Sequence, residues 1–310
     1  MGRTLTTDSP FADGDLSRRI AELAREASVE VTAGDAKIVP ELASLLLPGA
    51  VVYVAHPPKA TLDDVVAVSV AVQRTGLPAC PHIVARRIAD RAELQAACER
   101  LRDAGIDRAL VIAGDGAKAA GEFASSIDVL KSDLLTSHGI RRIGVAGHPE
   151  GHRSIGQSVL WRALLEKQAL AKKRAIDLHI VTQFGFDPAA VADWDRVLPE
   201  HGITLPVHVG MAGPASLPQL INYAMQCGVA VSIRGALQGM GAMRNIAGLA
   251  TSPDQMLRSI AQHVGRGPTR IVALHFYSFG GALATARWLR AVASARFELD
   301  ATGAGFKTID

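Results

Sequence analysis

Cysteine is scarce in this 310-residue chain: Cys80, Cys98 and Cys227 are odd in number, far apart and outside any C-x-x-C spacing. That excludes a disulfide framework and a zinc knuckle, and it suits a reducing compartment. Charge of one sign is scarce as well. The net charge is +3, charged residues make up 20% of the chain, and no basic run interleaves with aromatics, which argues against nucleic acid as a partner. No apolar run is long enough to span a bilayer, and the polar start from Arg3 to Asp8 contains no apolar leader. The expectation is a cytoplasmic protein with no membrane association. Familiar catalytic signatures are missing too. There is no G-x-S-x-G and no P-loop ending, and the turn after the first strand reads Thr32-Ala-Gly-Asp35 rather than G-x-G-x-x-G.

What the chain does have is alternation. With 48% hydrophobic residues it can bury one large core. Residues 1–13 read as a flexible tail, and Leu16, Ile20, Leu23 and Ala27 keep helical spacing, with Asp15 as the N-cap candidate. Short apolar runs then recur, each followed by a helical stretch: Val29 to Thr32, Ala50 to Ala55, Pro81 to Ala85, Ala109 to Ala113, Ile143 to Val145, Leu178 to Phe184, Thr204 to Gly210 and Arg270 to Tyr277. Thr61 and Asp187 stand where helix caps are needed, and Ser125 to Leu135 reads as one helix. Gly228 to Arg234 is also strand-like. Eight strand–helix units predict an α/β fold: a single-domain (β/α)8 TIM barrel over residues 14–300 with an N-terminal helix, then a tail over 301–310.

In such barrels the chemistry gathers at the carboxyl ends of the strands. The polar residues predicted there are Glu30, His56, His82, Asp115, His148, His152, Gln183 and Tyr277. The densest stretch is His148-Pro-Glu-Gly-His152, where Pro149 and Gly151 prevent the helix that would put both histidines on one face, so no metal site is expected. Plainer readings stand beside these. Glu30 could be a paired structural carboxylate, His82 a satisfied core histidine and Asp115 a turn residue. The loop Gly114 to Gly121 (GDGAKAAG) offers backbone N–H groups for a phosphate, with Lys118 as countercharge. A pocket holding an acid, an aspartate, an amide and several histidines suits a large planar cofactor and proton movement around it.

From about Val29 to Trp288 the chain resembles the methylenetetrahydrofolate reductase family. The resemblance is carried by Pro81-His82, Gly114-Asp115, the His148 to His152 loop, Thr182-Gln183-Phe184-Gly-Phe-Asp187 and His275-Phe276-Tyr277. It implies a barrel that binds FAD and uses NAD(P)H as co-substrate to interconvert 5,10-methylenetetrahydrofolate and 5-methyltetrahydrofolate, within one-carbon metabolism and methionine biosynthesis. Glu30 would be the general acid, with Asp115 and Gln183 beside it as catalytic groups. The implied cofactor contacts are His56, His82, Gly114, Asp115, Ala124, His148, His152, Ile155 and Lys172, with Lys172 and His152 on the pyrophosphate side. Glu30, Asp115, Gln183, Leu217 and Tyr277 would touch the folate.

The departures are also specific. Val31-Thr-Ala-Gly34 replaces an aromatic-proline wall, Ala55 a threonine, His148 a tyrosine and Leu217 an aromatic. Ala113 and Gly281 stand where the family has arginine, and Arg234 or Arg244 are candidates to substitute. Two alternatives follow: a 5-methyltetrahydrofolate oxidase, or a folate-binding barrel without redox chemistry. Homo-oligomerisation is a further expectation from the family, and a subunit that acts only with a partner is a third alternative.

Overall fold

The computed structural model describes residues 13–116, 118–216, 218–220 and 250–309. Helix α1 (Asp13–Arg25) comes first, followed by strand β1 (Ser28–Thr32) and helix α2 (Val39–Leu45). Next are β2 (Val52–Ala55), α3 (Leu62–Arg74), β3 (Ala79–Val84), α4 (Arg91–Asp103) and β4 (Arg108–Ile112). Two short helices, α5 (Ser126–Lys131) and α6 (Leu134–Ser137), lead to β5 (Arg142–Gly147). They are followed by α7 (Gln157–Arg174), β6 (Asp177–Thr182), α8 (Pro188–Val197) and β7 (Val207–Ala212). A small pair, β8 (Ala215–Ser216) with β9 (Ala250–Thr251), precedes α9 (Asp254–Gly265), β10 (Ile271–Tyr277) and α10 (Ala282–Ala293). A hairpin of β11 (Phe297–Leu299) and β12 (Phe306–Thr308) ends the described chain.

Strands β1 to β7 and β10 close into one parallel barrel, in the order β1-β10-β7-β6-β5-β4-β3-β2. The expected (β/α)8 architecture is therefore correct. Its cause is visible in the strands. They are short and rich in β-branched residues, and β3 is buried along its whole length, as expected where helices cover one face and other strands the opposite one. Outward residues such as Val29, Val52, Ile83, Val111, Ile143 and Val209 join the helices in one continuous core. Thr61 accepts a hydrogen bond from the Asp64 amide and Asp187 from those of Ala189 and Ala190, so both expected caps form.

Three local expectations need correction. Asp15 is not the cap of α1; it lies inside the first turn, where its carboxylate pairs with Arg18 and Arg19. Ser125 to Leu135 is not one helix, because Asp133 adopts a left-handed conformation (φ 64°) and is held there by an ion pair with Arg174 at 2.7 Å. Residues 301–310 are not a tail as far as Thr308. Phe306 buries against Phe297 and Trp288, and the Arg258 guanidinium donates to the carbonyls of Asp300 and Gly305. The strand-like stretch 228–234 and residues 1–12 lie outside the described residues. Among those described, no helix is long and apolar enough to cross a membrane.

The inside of the barrel is less usual than the outside. Bulky branched residues dominate most such interiors. Here Tyr53, His179, His208 and His275 stand among Cys80, Leu110 and Val181. Gly144 makes the room: a Cβ there would lie 3.0 Å from Leu110 and 3.1 Å from His179 Nε2.

Candidate functional site

The carboxyl ends of the strands surround a cavity of about 1050 Å³. It is lined by Glu30 of β1, His56 after β2, His82 of β3, Gly114 and Asp115 after β4, His148 and His152 after β5, Gln183 after β6 and Tyr277 of β10. The strand-end residues singled out from the sequence thus share one cavity, and Gly114 and Ile155 line it too. Leu217, Arg234 and Arg244 lie outside the described residues.

Glu30 is the half-buried acid of the site, its side chain 16% exposed. Register places it beside Tyr53, and its Oε2 lies 3.4 Å from His82 Nε2 and 3.7 Å from His275 Nε2. Neither nitrogen makes a hydrogen bond. Burial raises the Glu30 pKa, and His82 offsets this only in part. Burial also drives His82 down to about 4 and His275 to about 3. At neutral pH both imidazoles are uncharged, so these contacts are not salt bridges. They leave the proton on the carboxyl group easier to keep, as a general acid requires.

The loop carrying Asp115 is held by a residue that sequence reasoning passed over. Arg86, after β3, donates to the carbonyls of Gly114 (3.3 Å), Gly116 (2.9 Å) and Ala124 (2.9 Å). Gly114 must be glycine: its φ is +85°, and a Cβ would collide with Val84. Asp115 itself is exposed and faces Arg153 at 3.7 Å. The signal for Arg86 was weak, since nothing in one sequence links it to a loop beyond the next strand.

The loop after β5 divides its labour. Glu150 does not face the cavity chemistry. Its Oε1 accepts from the Phe186 and Asp187 amides at 2.9 and 3.0 Å, tying this loop to the one that carries Gln183. Gly185 leaves the space for that carboxylate, because a Cβ would strike it. His148 and His152 meet edge to face, with centroids 5.1 Å apart, and burial lowers His148 to about 4. Tyr277 is oriented by donating to the Thr182 carbonyl at 3.0 Å.

Two implied cofactor contacts are misplaced. Lys172 sits in the last turn of α7 and is exposed, away from the cavity. Lys167 lines the cavity instead, because five residues turn a helix by well over a full turn and so change the face. It is 9% exposed, and burial lowers it to about 8 against the opposing pull of the neighbouring Glu166 carboxylate. Ala124 is exposed and serves through its carbonyl on Arg86, while Ser125 and Ser126 face the cavity in its place. Lys118 is exposed as well and does not line it. Among the described residues no group of three or more His, Cys, Asp or Glu could hold a metal ion.

A family model described as methylenetetrahydrofolate reductase matches residues 51–285, most of the chain and every barrel strand except β1. The chain belongs to the methylenetetrahydrofolate reductase family. One solved structure agrees on the fold. An uncharacterised protein from Clostridium thermocellum that binds two copies of 5-methyl-5,6,7,8-tetrahydrofolic acid superposes with a TM-score of 0.57 at 12% identity, covering 89% of this chain and 98% of its own. Dihydropteroate synthase from Thermus thermophilus gives a TM-score of 0.44 at 16% identity, covering 85% of this chain and 91% of its own. Glu30 precedes the span matched by the reductase family, and the other strand-end residues of the cavity, from His56 to Tyr277, lie within it.

Proposed function

We propose that the protein is a flavin-dependent oxidoreductase that interconverts 5,10-methylenetetrahydrofolate and 5-methyltetrahydrofolate. The observation that carries the reading is a half-buried, hydrogen-bond-poor carboxyl group, Glu30, in a family cavity large enough for a dinucleotide-sized ligand. When bound, FAD would accept a hydride from NAD(P)H and return it to the one-carbon unit of the folate.

The residues present fit that cofactor. Lys167 is a buried cation lining the cavity with Glu166 as its neighbouring carboxylate, and His152 and Arg153 stand on the neighbouring loop; together they form an end suited to a pyrophosphate. The exposed apolar wall of Ile155 and Val159 suits an adenine ring. Asp115, whose carboxylate lies 3.7 Å from Arg153 beside that end, would meet the polar edge of a tricyclic ring. The protein's own work is proton handling and orientation. Glu30 would protonate the bridging nitrogen of the folate as the five-membered ring opens, and hold that proton until then because burial opposes its charge. Gln183, fixed through the Gly147 carbonyl, would bond the pterin or the nicotinamide in turn. Tyr277 would wall the same face.

The reverse direction, oxidation of 5-methyltetrahydrofolate, uses the same groups with Glu30 as base. A non-redox folate-binding barrel is the second reading; Ala113 in place of the family arginine and the folate-binding neighbour favour it. The visible spectrum of the purified protein, followed by anaerobic titration with 5-methyltetrahydrofolate, separates them. A yellow protein bleached by NADH supports the oxidoreductase, and bleaching by the methylfolate supports the oxidase direction. A colourless protein that takes up no FAD overturns both and leaves folate binding alone. Cytoplasmic location and homo-oligomerisation belong to the same reading.

A further inference from the structure

We propose that Tyr53 and His179 supply protons to Glu30 through the inside of the barrel. The inference rests on Glu30 being the acid of the proposed reaction. Its basis is a file of buried and half-buried polar side chains where a barrel normally has branched aliphatics. Glu30 is paired in register with Tyr53. The Tyr53 hydroxyl lies 3.1 Å from His179 Nε2, and His179 stacks on His208 with centroids 4.3 Å apart. On the other side, the Tyr53 ring packs against His275 at 4.5 Å, and His275 and His82 both direct Nε2 towards Glu30 Oε2. The file runs from the cavity floor towards the amino ends of the strands, where Arg108 and Asp177 stand.

Folding does not ask for this arrangement. Buried polar groups cost stability unless bonded, yet His82 Nε2, His275 Nε2 and His208 Nδ1 have no partner. Such atoms are the usual anchor points of internal water, which bridges gaps between polar groups. Gly144 further shows that space was kept for His179, since any side chain there would press on its ring.

The chemistry is a proton relay with no electron transfer and no second reagent. A neutral imidazole takes a proton on one ring nitrogen and releases the proton held by the other. The Tyr53 hydroxyl gives its proton towards Glu30 and takes one from His179. In sum, one proton enters from solvent at the amino ends and one reaches the Glu30 carboxylate. Such a route matters after Glu30 has spent its proton while ligands still fill the cavity mouth.

The test follows the carboxylic acid itself. The infrared band of protonated Glu30, assigned by its loss in Glu30→Gln, is monitored after transfer into D2O with 5-methyltetrahydrofolate filling the cavity. The wild type should exchange quickly. Tyr53→Phe, which removes one oxygen, should slow exchange about tenfold or more, within the range that placed proton carriers provide. His179→Gln should do the same, because it keeps a partner for the Tyr53 hydroxyl but has no second ring nitrogen. With the cavity empty, all three proteins should exchange alike through the mouth. Equal rates in the filled state overturn the relay alone. A colourless protein that takes up no FAD overturns the proposed reaction and the relay's purpose together.

Discussion

Two acids shielded from solvent, Asp195 fully and Glu30 in large part, each beside a histidine, have opposite fates. Asp195 of α8 accepts from His263 Nε2 at 2.7 Å, Thr269 Oγ1 at 2.7 Å and the Arg270 amide at 2.9 Å, and these donors outweigh burial and lower its pKa. Glu30 is also enclosed, but its neighbouring imidazoles approach only to 3.4 and 3.7 Å and bond poorly, so burial prevails and its pKa rises. The lesson is that burial alone does not set the charge of a carboxyl group; the number of well-aligned donors decides it. Asp195 is a charged staple between α8, α9 and β10. Glu30, with no such donors, has its charge opposed by burial.

The largest effect expected from breaking this contrast is on chemistry. Glu30→Gln should lower folate turnover by about 10²–10⁴-fold while leaving reduction of bound flavin by NADH in place, as read by stopped-flow absorbance. A variant that turns over folate at the normal rate would show that the acid lies elsewhere. On the other side of the comparison, Asp195→Ala should cost about 2–4 kcal/mol of stability, because it strands three half-buried donors. Chemical denaturation should show the loss while the cavity ligands still bind.

A third expectation concerns acid. His82, His148 and His208 are held near 4, and His179 and His275 near 3, against an ordinary value of 6.5. A lowered histidine value means that the unfolded chain binds more protons. Their contribution is therefore complete above pH 6.5 and is lost as the pH falls towards 4, at roughly 1.4 kcal/mol per pH unit for each group. Asp195 adds to this only at lower pH: its folded value is depressed, so its contribution is full above 3.8 and falls away below. Melting temperatures recorded from about pH 8 to pH 4 should fall steeply; a flat profile would mean that the barrel histidines are solvated. The smallest effect is at the anion end. Lys167→Met should weaken FAD about tenfold with little change in stability, whereas Lys172→Met should change neither.

Much of this was legible in the sequence, and the reason is periodicity. Eight short apolar runs separated by helical stretches pointed to the closed barrel, and the residue following each run supplied most of the cavity, because a strand's last side chain is placed by the strand itself. The errors came where position depends on a helix face or a distant partner. Lys172 and Lys167 differ by five residues, which is invisible to spacing unless the helix start and its packing are known. Ala124 was named where its neighbours face the cavity. Arg86 acts on a loop beyond the next strand, and the function of Glu150 as a tie to Phe186 and Asp187 exists only once two loops are side by side. The polar file through Tyr53, His179 and His208 went unread for a related reason. Each residue is a single departure in an otherwise apolar strand, and only closure of the barrel brings them together.

The most direct test is to titrate both acids in one sample, with side-chain carboxyl carbons observed by NMR and assigned through Glu30→Gln and Asp195→Asn. Glu30 should titrate above the ordinary 4.5 of a glutamate and Asp195 below the ordinary 3.8 of an aspartate. Glu30 titrating at or below 4.5 would contradict the account, since burial would then not oppose the charge on this carboxyl group.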